Sequence, residues 1–255
     1  MERMILGARG GLTATALCLS LWAQPLWALQ KNQPEMLEYR VHYGLIHAGT
    51  AKMRYTPVAE GKGYGLNITV RDSTILIDLH NHYTMQGQHK PQAFTSSSYH
   101  AVQQENDYRA DKVVVFDSTR KHIRYTNRRD ASDTVAPQRW DGKMRDVFSQ
   151  LYAMRLEGLA PLKKTRRVQV MGVKRPFTLV QGAAVAVPKT SNQWHILLQA
   201  EEDGKLSRDS WRITVREEAD KTLTPIKIQA QTRFGTFSAV LKEPARDTTM
   251  KDRPR

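Results

Sequence analysis

The chain has 255 residues, with 39 Lys+Arg against 25 Asp+Glu, one cysteine, 40% hydrophobic and 25% charged residues. That length allows one large domain or two small ones with a full core, and the ordinary charged fraction excludes wholesale disorder. No breaker-free run of eighteen apolar residues occurs, which excludes a multi-span helical membrane protein, and the single cysteine excludes a disulfide framework or a Cys-rich zinc module.

The first segment, residues 1–28, reads as a cleaved Sec-type signal peptide. Arg3 and Arg9 supply the basic region, Leu12 to Trp22 the apolar stretch, and Pro25 with Ala28 the boundary. Cys18 follows the bulky Leu17 and reads as part of the apolar stretch, not as a lipidation site. Cleavage near Ala28 leaves a cysteine-free chain with no transmembrane segment, as suits the bacterial periplasm. Losing Arg3, Arg9 and Glu2 lowers the net charge by one unit from +14. Such a field favours lipid headgroups, lipopolysaccharide phosphates or nucleic acid. Export sets nucleic acid aside, and plain solubility remains the alternative reading of the charge.

From Glu38 onward, period-two alternation predicts strands. Tyr39, Val41, Tyr43 and Leu45 alternate with Arg40, His42 and Gly44, and Ala51, Met53 and Tyr55 with Lys52 and Arg54. Gly61-Lys62-Gly63 then reads as a hairpin turn before Tyr64, Leu66, Ile68 and Val70. Ile75, Ile77 and Leu79 follow, then Val113 to Phe116 and His122 to Tyr125. The polar stretch Arg128 to Arg145 reads as a loop dividing the sheet. Asp146 to Glu157 switches to three- and four-residue spacing, with Asp146 as cap and Gly158 past the end, which predicts one amphipathic helix. Strands resume through Val168, Phe177 and Trp194 to Leu197, then Trp211 to Val215, Ile226 to Ala230 and Phe237 to Leu241.

About a dozen short strands and one helix predict an all-β antiparallel curved sheet, closing into a barrel or a sandwich, with the helix packed on it. Residues 37–242 form a single domain on this reading, and 243–255 a disordered tail.

The segment Tyr39-Arg40-Val41-His42-Tyr43-Gly44-Leu45-Ile46-His47-Ala48-Gly49-Thr50-Ala51 resembles the opening of the domain-of-unknown-function 3108 family of exported bacterial proteins. Arg145 to Arg155 is similar to that family's D-x-x-S-x-x-Y-x-x-R helix, and Leu223 to Ile228 with Phe234-Gly235 to its closing strands. The resemblance implies an exported, β-rich protein and carries over no reaction and no catalytic residues. Gly44 and Gly49 read as structural positions, a bulge or close approach between the first two strands. Asp146 and Arg155 read as structural links from helix to sheet.

The chemistry-bearing candidates are few. Asp78, His80 and His82 share one strand face and are a weak metal candidate, but alternation with Ile77 and Leu79 already assigns them to solvent. No G-x-S-x-G elbow occurs. Ser149, three residues from Asp146, has no nearby histidine in sequence, and Glu201-Glu202-Asp203 reads as a solvated turn. No catalytic constellation and no cofactor site is therefore expected. The basic cluster is the sharper signal: Arg139, Lys143 and Arg145 precede the helix and Lys163, Lys164, Arg166 and Arg167 follow it, a candidate cationic rim for phosphate groups. The sequence thus points to non-catalytic binding of an amphiphilic anionic envelope lipid or glycolipid. Its alternatives are an accessory protein with an envelope protein partner and, third, a metal-dependent hydrolase.

Overall fold

The computed structural model describes residues 34–58, 63–74, 77–90, 93–232 and 235–242. The expected signal peptide with Cys18, the turn residues Gly61 and Lys62, Ile75 and the expected tail lie outside them.

The amino-terminal half is a meander of hairpins: β1 (Glu35–Tyr43), β2 (Ile46–Val58), β3 (Gly63–Thr74), β4 (Ile77–Lys90), β5 (Ala93–Glu105), β6 (Tyr108–Asp117), β7 (His122–Asn127) and the edge strand β8 (Thr134–Arg139). Alternation is cleanest in β7, where Ile123, Tyr125 and Asn127 are buried while His122, Arg124 and Thr126 face water. A two-residue strand, β9 (Arg145–Asp146), leads into helix α1 (Val147–Glu157) and a short 3-10 turn at Ala160–Lys163. The second half adds β10 (Arg166–Met171), β11 (Pro176–Gln181), β12 (Val185–Ala186), β13 (Gln193–Glu202), β14 (Lys205–Glu217), β15 (Leu223–Thr232) and β16 (Gly235–Leu241).

These form one sixteen-stranded sheet in the order β8-β7-β6-β5-β4-β3-β2-β1-β16-β15-β14-β13-β11-β10-β9, with β12 on β13. Every pairing is antiparallel except β9 with β10. The two halves therefore meet at the β1–β16 pair. The curved antiparallel sheet with one helix stands, but the barrel alternative does not, because edges β8 and β9 do not pair. The β9 edge is instead tied to β5 through side chains. The Asp146 N–H donates to Ser96 Oγ of β5 at 3.0 Å, and Arg145 Nε donates to the Phe94 carbonyl. The stretch expected to be a plain loop before the helix contributes both edges, β8 and β9.

Helix α1 sits between two apolar clusters. Tyr152 and Ala153 join Tyr55, Tyr64, Phe94 and Tyr99 on one side, while Met154 joins Leu162, Ile196, Leu198 and Val215 on the other. Tyr55 stacks on Tyr152 at 4.7 Å and Phe94 on Tyr64 at 3.8 Å between ring centroids, contacts worth about 0.5–1.5 kcal/mol each beyond area burial. Because the sheet wraps it, only Glu157 of the helix is exposed. The expected amphipathic stripe is thus absent: the face that would meet water meets protein, and Ser149, Gln150 and Arg155 are buried with the apolar residues.

Candidate functional site

Asp146 at the cap and Ser149, Tyr152 and Arg155 in the helix follow one another at three-residue spacing, so each neighbours the next while the series winds around the helix. Asp146 is the cap and accepts from the Ser149 N–H at 2.8 Å. Ser96 Oγ donates to its other oxygen at 2.6 Å, and Tyr64 donates to Ser149 Oγ at 2.8 Å. Burial pushes the Asp146 carboxyl and the Tyr64 phenol above their ordinary ranges. Asp146 and Ser149 are 0% exposed, so this network holds the helix start and offers no nucleophile to a substrate. At the other end, Gly158 takes φ +76° against the Lys221 carbonyl, which a Cβ would approach to 2.8 Å.

Arg155 ends the series and is 8% exposed. Its Nε donates to the Leu223 carbonyl at 2.7 Å, its two terminal nitrogens fork onto the Glu35 carboxylate, and its guanidinium lies 5.5 Å from the Tyr152 ring centroid. Burial acts to lower its pKa, but the Glu35 hydrogen bonds and charge outweigh burial and hold it raised. Burial likewise raises the Tyr39 and Tyr152 phenols. The Tyr39 hydroxyl donates to the Pro225 carbonyl at 3.0 Å.

These contacts close a notch in the sheet. Strand β16 pairs with β1 only from Tyr39 to Tyr43, and with β15 only from Lys227 to Thr232. Glu35 to Leu37 on one side, and Leu223 to Pro225 on the other, extend past it. Arg155 bridges the gap from below.

Beside the notch lies an apolar cavity of about 270 Å³, lined by Tyr39, Met53, Ile68, Leu151, Met154 and Trp211 among others, with Arg155 at its wall. A second, more polar recess of about 460 Å³ opens beyond Arg155 and is lined by Glu35, Tyr55, Asp220 and Thr222. Tyr152 and Arg155 line both. The apolar cavity falls just short of the usual size range of small-ligand sites, which begins at about 300 Å³.

The residues singled out from sequence are dispersed around this centre. Of the basic set, Arg145 is half-buried, with Nη1 donating to Gln150 Oε1 at 2.8 Å, and burial lowers its pKa. Arg166 pairs with Glu157 at 2.9 Å and Arg167 with Glu201 at 3.1 Å. Lys163 lies 5.8 Å from the Trp194 ring, and Arg139, Lys143 and Lys164 are exposed. None of the seven lines either cavity. On β4, Asp78, His80 and His82 are exposed; His80 lies 3.5 Å from Asp78, while His82 hydrogen-bonds Thr69 at 3.0 Å and Thr84 at 3.1 Å. Among the described residues no three His, Cys, Asp or Glu side chains converge as a metal site. Gly49 has φ +139° and pairs with Val41 where the β1–β2 register shifts, and Gly44 turns the hairpin at φ +57°. No described helix is long and apolar enough to cross a membrane.

The sequence profile of a family described as "Protein of unknown function (DUF3108)" matches residues 38–242. The chain belongs to this family. Comparison with characterised proteins and with solved structures returns no match. The DUF3108 match spans β1 from Glu38 to Lys242 just after β16, so it contains the helix, the apolar cavity and the Leu223–Pro225 side of the notch, while Glu35 to Leu37 fall just before it. Sequence reasoning found Asp146 and Arg155 as helix-to-sheet links but missed Ser96 as the partner of Asp146, Glu35 as that of Arg155 and Tyr64 as that of Ser149. A lone serine, tyrosine and glutamate in strands carry no spacing that marks them.

Proposed function

We propose that the protein is a non-catalytic binding module, exported to the periplasm, that receives an amphiphilic anionic component of the cell envelope. The observation that carries this reading is the apolar cavity beside α1, walled by Tyr39, Ile68 and Trp211 and bordered by a buried arginine. An engineered apolar cavity of about 150 Å³ takes up one benzene. In that proportion, about 270 Å³ holds roughly ten or eleven carbons. The cavity therefore suits one hydrocarbon chain, and a multi-chain lipid would leave its remaining chains outside. The exposed cations Arg139, Lys143, Lys163, Lys164 and Arg167 then serve encounter with an anionic surface and not chain recognition.

The test is mass spectrometry of an organic extract from protein purified out of the periplasm without detergent. A stoichiometric single-chain or lipid species supports the reading, and an empty extract from well-folded protein overturns it. The accessory reading rests on a different observation. Leu45 at the β1–β2 turn is fully exposed beside the exposed Ile46, an apolar tip suited to a protein partner.

A further inference from the structure

Arg155 is an unusual residue to place against an apolar cavity. It lines both the apolar cavity and the polar recess. Its Nε is held by the Leu223 carbonyl, which fixes the plane of the fork. The remaining two nitrogens point at Glu35, and the Tyr152 hydroxyl donates to the same carboxylate at 3.4 Å. The arrangement is a carboxylate-binding fork with a third donor beside it, and it is filled by a side chain of the protein itself.

The occupant is held less firmly than the fork. Arg155 stands on a helix of which only Glu157 is exposed, and its side chain is 9% exposed, whereas that of Glu35 is 32% exposed. Glu35 begins β1, and its strand pairing there runs to β2 alone, opposite Tyr55, because β16 starts pairing with β1 only at Tyr39. A strand end paired on one side opens at lower cost than one paired on both. If Glu35 swings out into the polar recess, its carboxylate regains water, while Arg155 stays buried and requires a replacement anion.

Resting on the single-chain reading above, we infer that the notch is the headgroup subsite, that its ligand is a long-chain carboxylate, and that Glu35 is a built-in competitor. The ligand's chain lies in the apolar cavity and its carboxylate takes the two Arg155 nitrogens that Glu35 now occupies. The planar, two-toothed geometry already accepted from Glu35 is that of a carboxylate. Binding therefore includes a displacement, and apparent affinity is reduced by the fraction of molecules in which Glu35 holds the fork.

The experiment is calorimetric titration of the full chain and of Glu35→Gln with decanoate and with decanol, two ten-carbon probes that differ in the headgroup. Gln keeps one oxygen for Arg155 but no charge. The expected result is decanoate affinity about tenfold higher in E35Q, with decanol unchanged. A gain for both probes alike would show that Glu35 merely obstructs the cavity and would overturn the subsite, as would no gain for either. Failure of both probes to bind either protein would instead overturn the chain-binding function itself. A measurement without any variant keeps the test independent of E35Q folding. The carbon-13 carboxyl resonance of labelled decanoate bound to the unaltered protein should titrate at least about one unit below its value in water, as beside a guanidinium. Titration at or above the aqueous value sinks the assignment.

Discussion

Replacing Asp146 by Ala and by Asn separates the two things this carboxyl does. Ala removes the cap on the Ser149 N–H, worth about 1 kcal/mol, and takes the acceptor from the buried Ser96 O–H, whose oxygen keeps only the residue-146 N–H, worth about 2 kcal/mol more. The expected loss for D146A is about 3 kcal/mol. With a urea slope of about 2 kcal/mol per molar, the unfolding midpoint falls by about 1.5 M. Asn keeps an oxygen for the Ser149 N–H and should lose less than about 1 kcal/mol at neutral pH. The pH dependence has a definite sign. Burial raises the Asp146 carboxyl, so the folded protein holds its proton more tightly than the unfolded chain does. Below about pH 4 the group is protonated in both states and contributes no penalty. As pH rises from there through the raised folded value, the native chain loses stability that D146N does not lose, and above that value the difference is constant. Urea titrations of the three proteins between pH 4 and 8 measure this. A D146A midpoint within about 0.3 M of the native one would refute the cap-and-bridge argument, since 0.3 M is only about 0.6 kcal/mol at that slope. A D146N difference flat across the range would refute the burial argument.

Two further predictions probe the sheet and the cavity. A Cβ on Gly87 would run into the Thr95 carbonyl and the Tyr64 ring, so Gly87→Ala should cost about 3 kcal/mol and lower the melting temperature by roughly 6–12 °C in a thermal scan. Ala239 lines the apolar cavity, and Ala239→Leu adds three carbons there, with an upper limit of about 2.4 kcal/mol. After some strain it should stabilise the empty protein by about 1 kcal/mol and weaken decanoate binding at least tenfold, and an unchanged affinity would place the chain elsewhere.

The fold class was legible because most strands keep a strict two-residue period, and the helix because Asp146 to Gly158 breaks that period between a cap and a glycine. Strand β5 was not. Phe94 and Ser96 face inward, but so do Tyr99 and Ala101, because a register shift against Gln86 and Gly87 inserts a residue and changes the phase. One inward position is also polar, as Ser96 serves Asp146. Strands β8, β9 and β12 are too short or too polar to stand out. The helix was read as amphipathic because a period alone does not reveal that the sheet covers both sides. The site was less legible for a related reason. The basic residues crowd together in sequence, yet the structure spreads them over β8, β9, β10 and the segments between, while Arg155 gains its importance from Glu35, 120 residues away.

The meeting of β1 and β16 has a consequence for how the chain is completed. The hairpins from β2 to β8 zip up between neighbours in sequence, as do those from β13 to β16, so each half assembles from contacts close along the chain. The pair that joins them links Tyr39 to Leu241 and Tyr43 to Phe237, and it sits in the middle of the sheet. During synthesis that seam waits for the last strand to emerge. A chain stopped short of β16 would therefore present two raw strand edges at its centre, at β1 and at β15, where a second such chain could pair. Loss of the final strand would be felt as self-association and not as a frayed end.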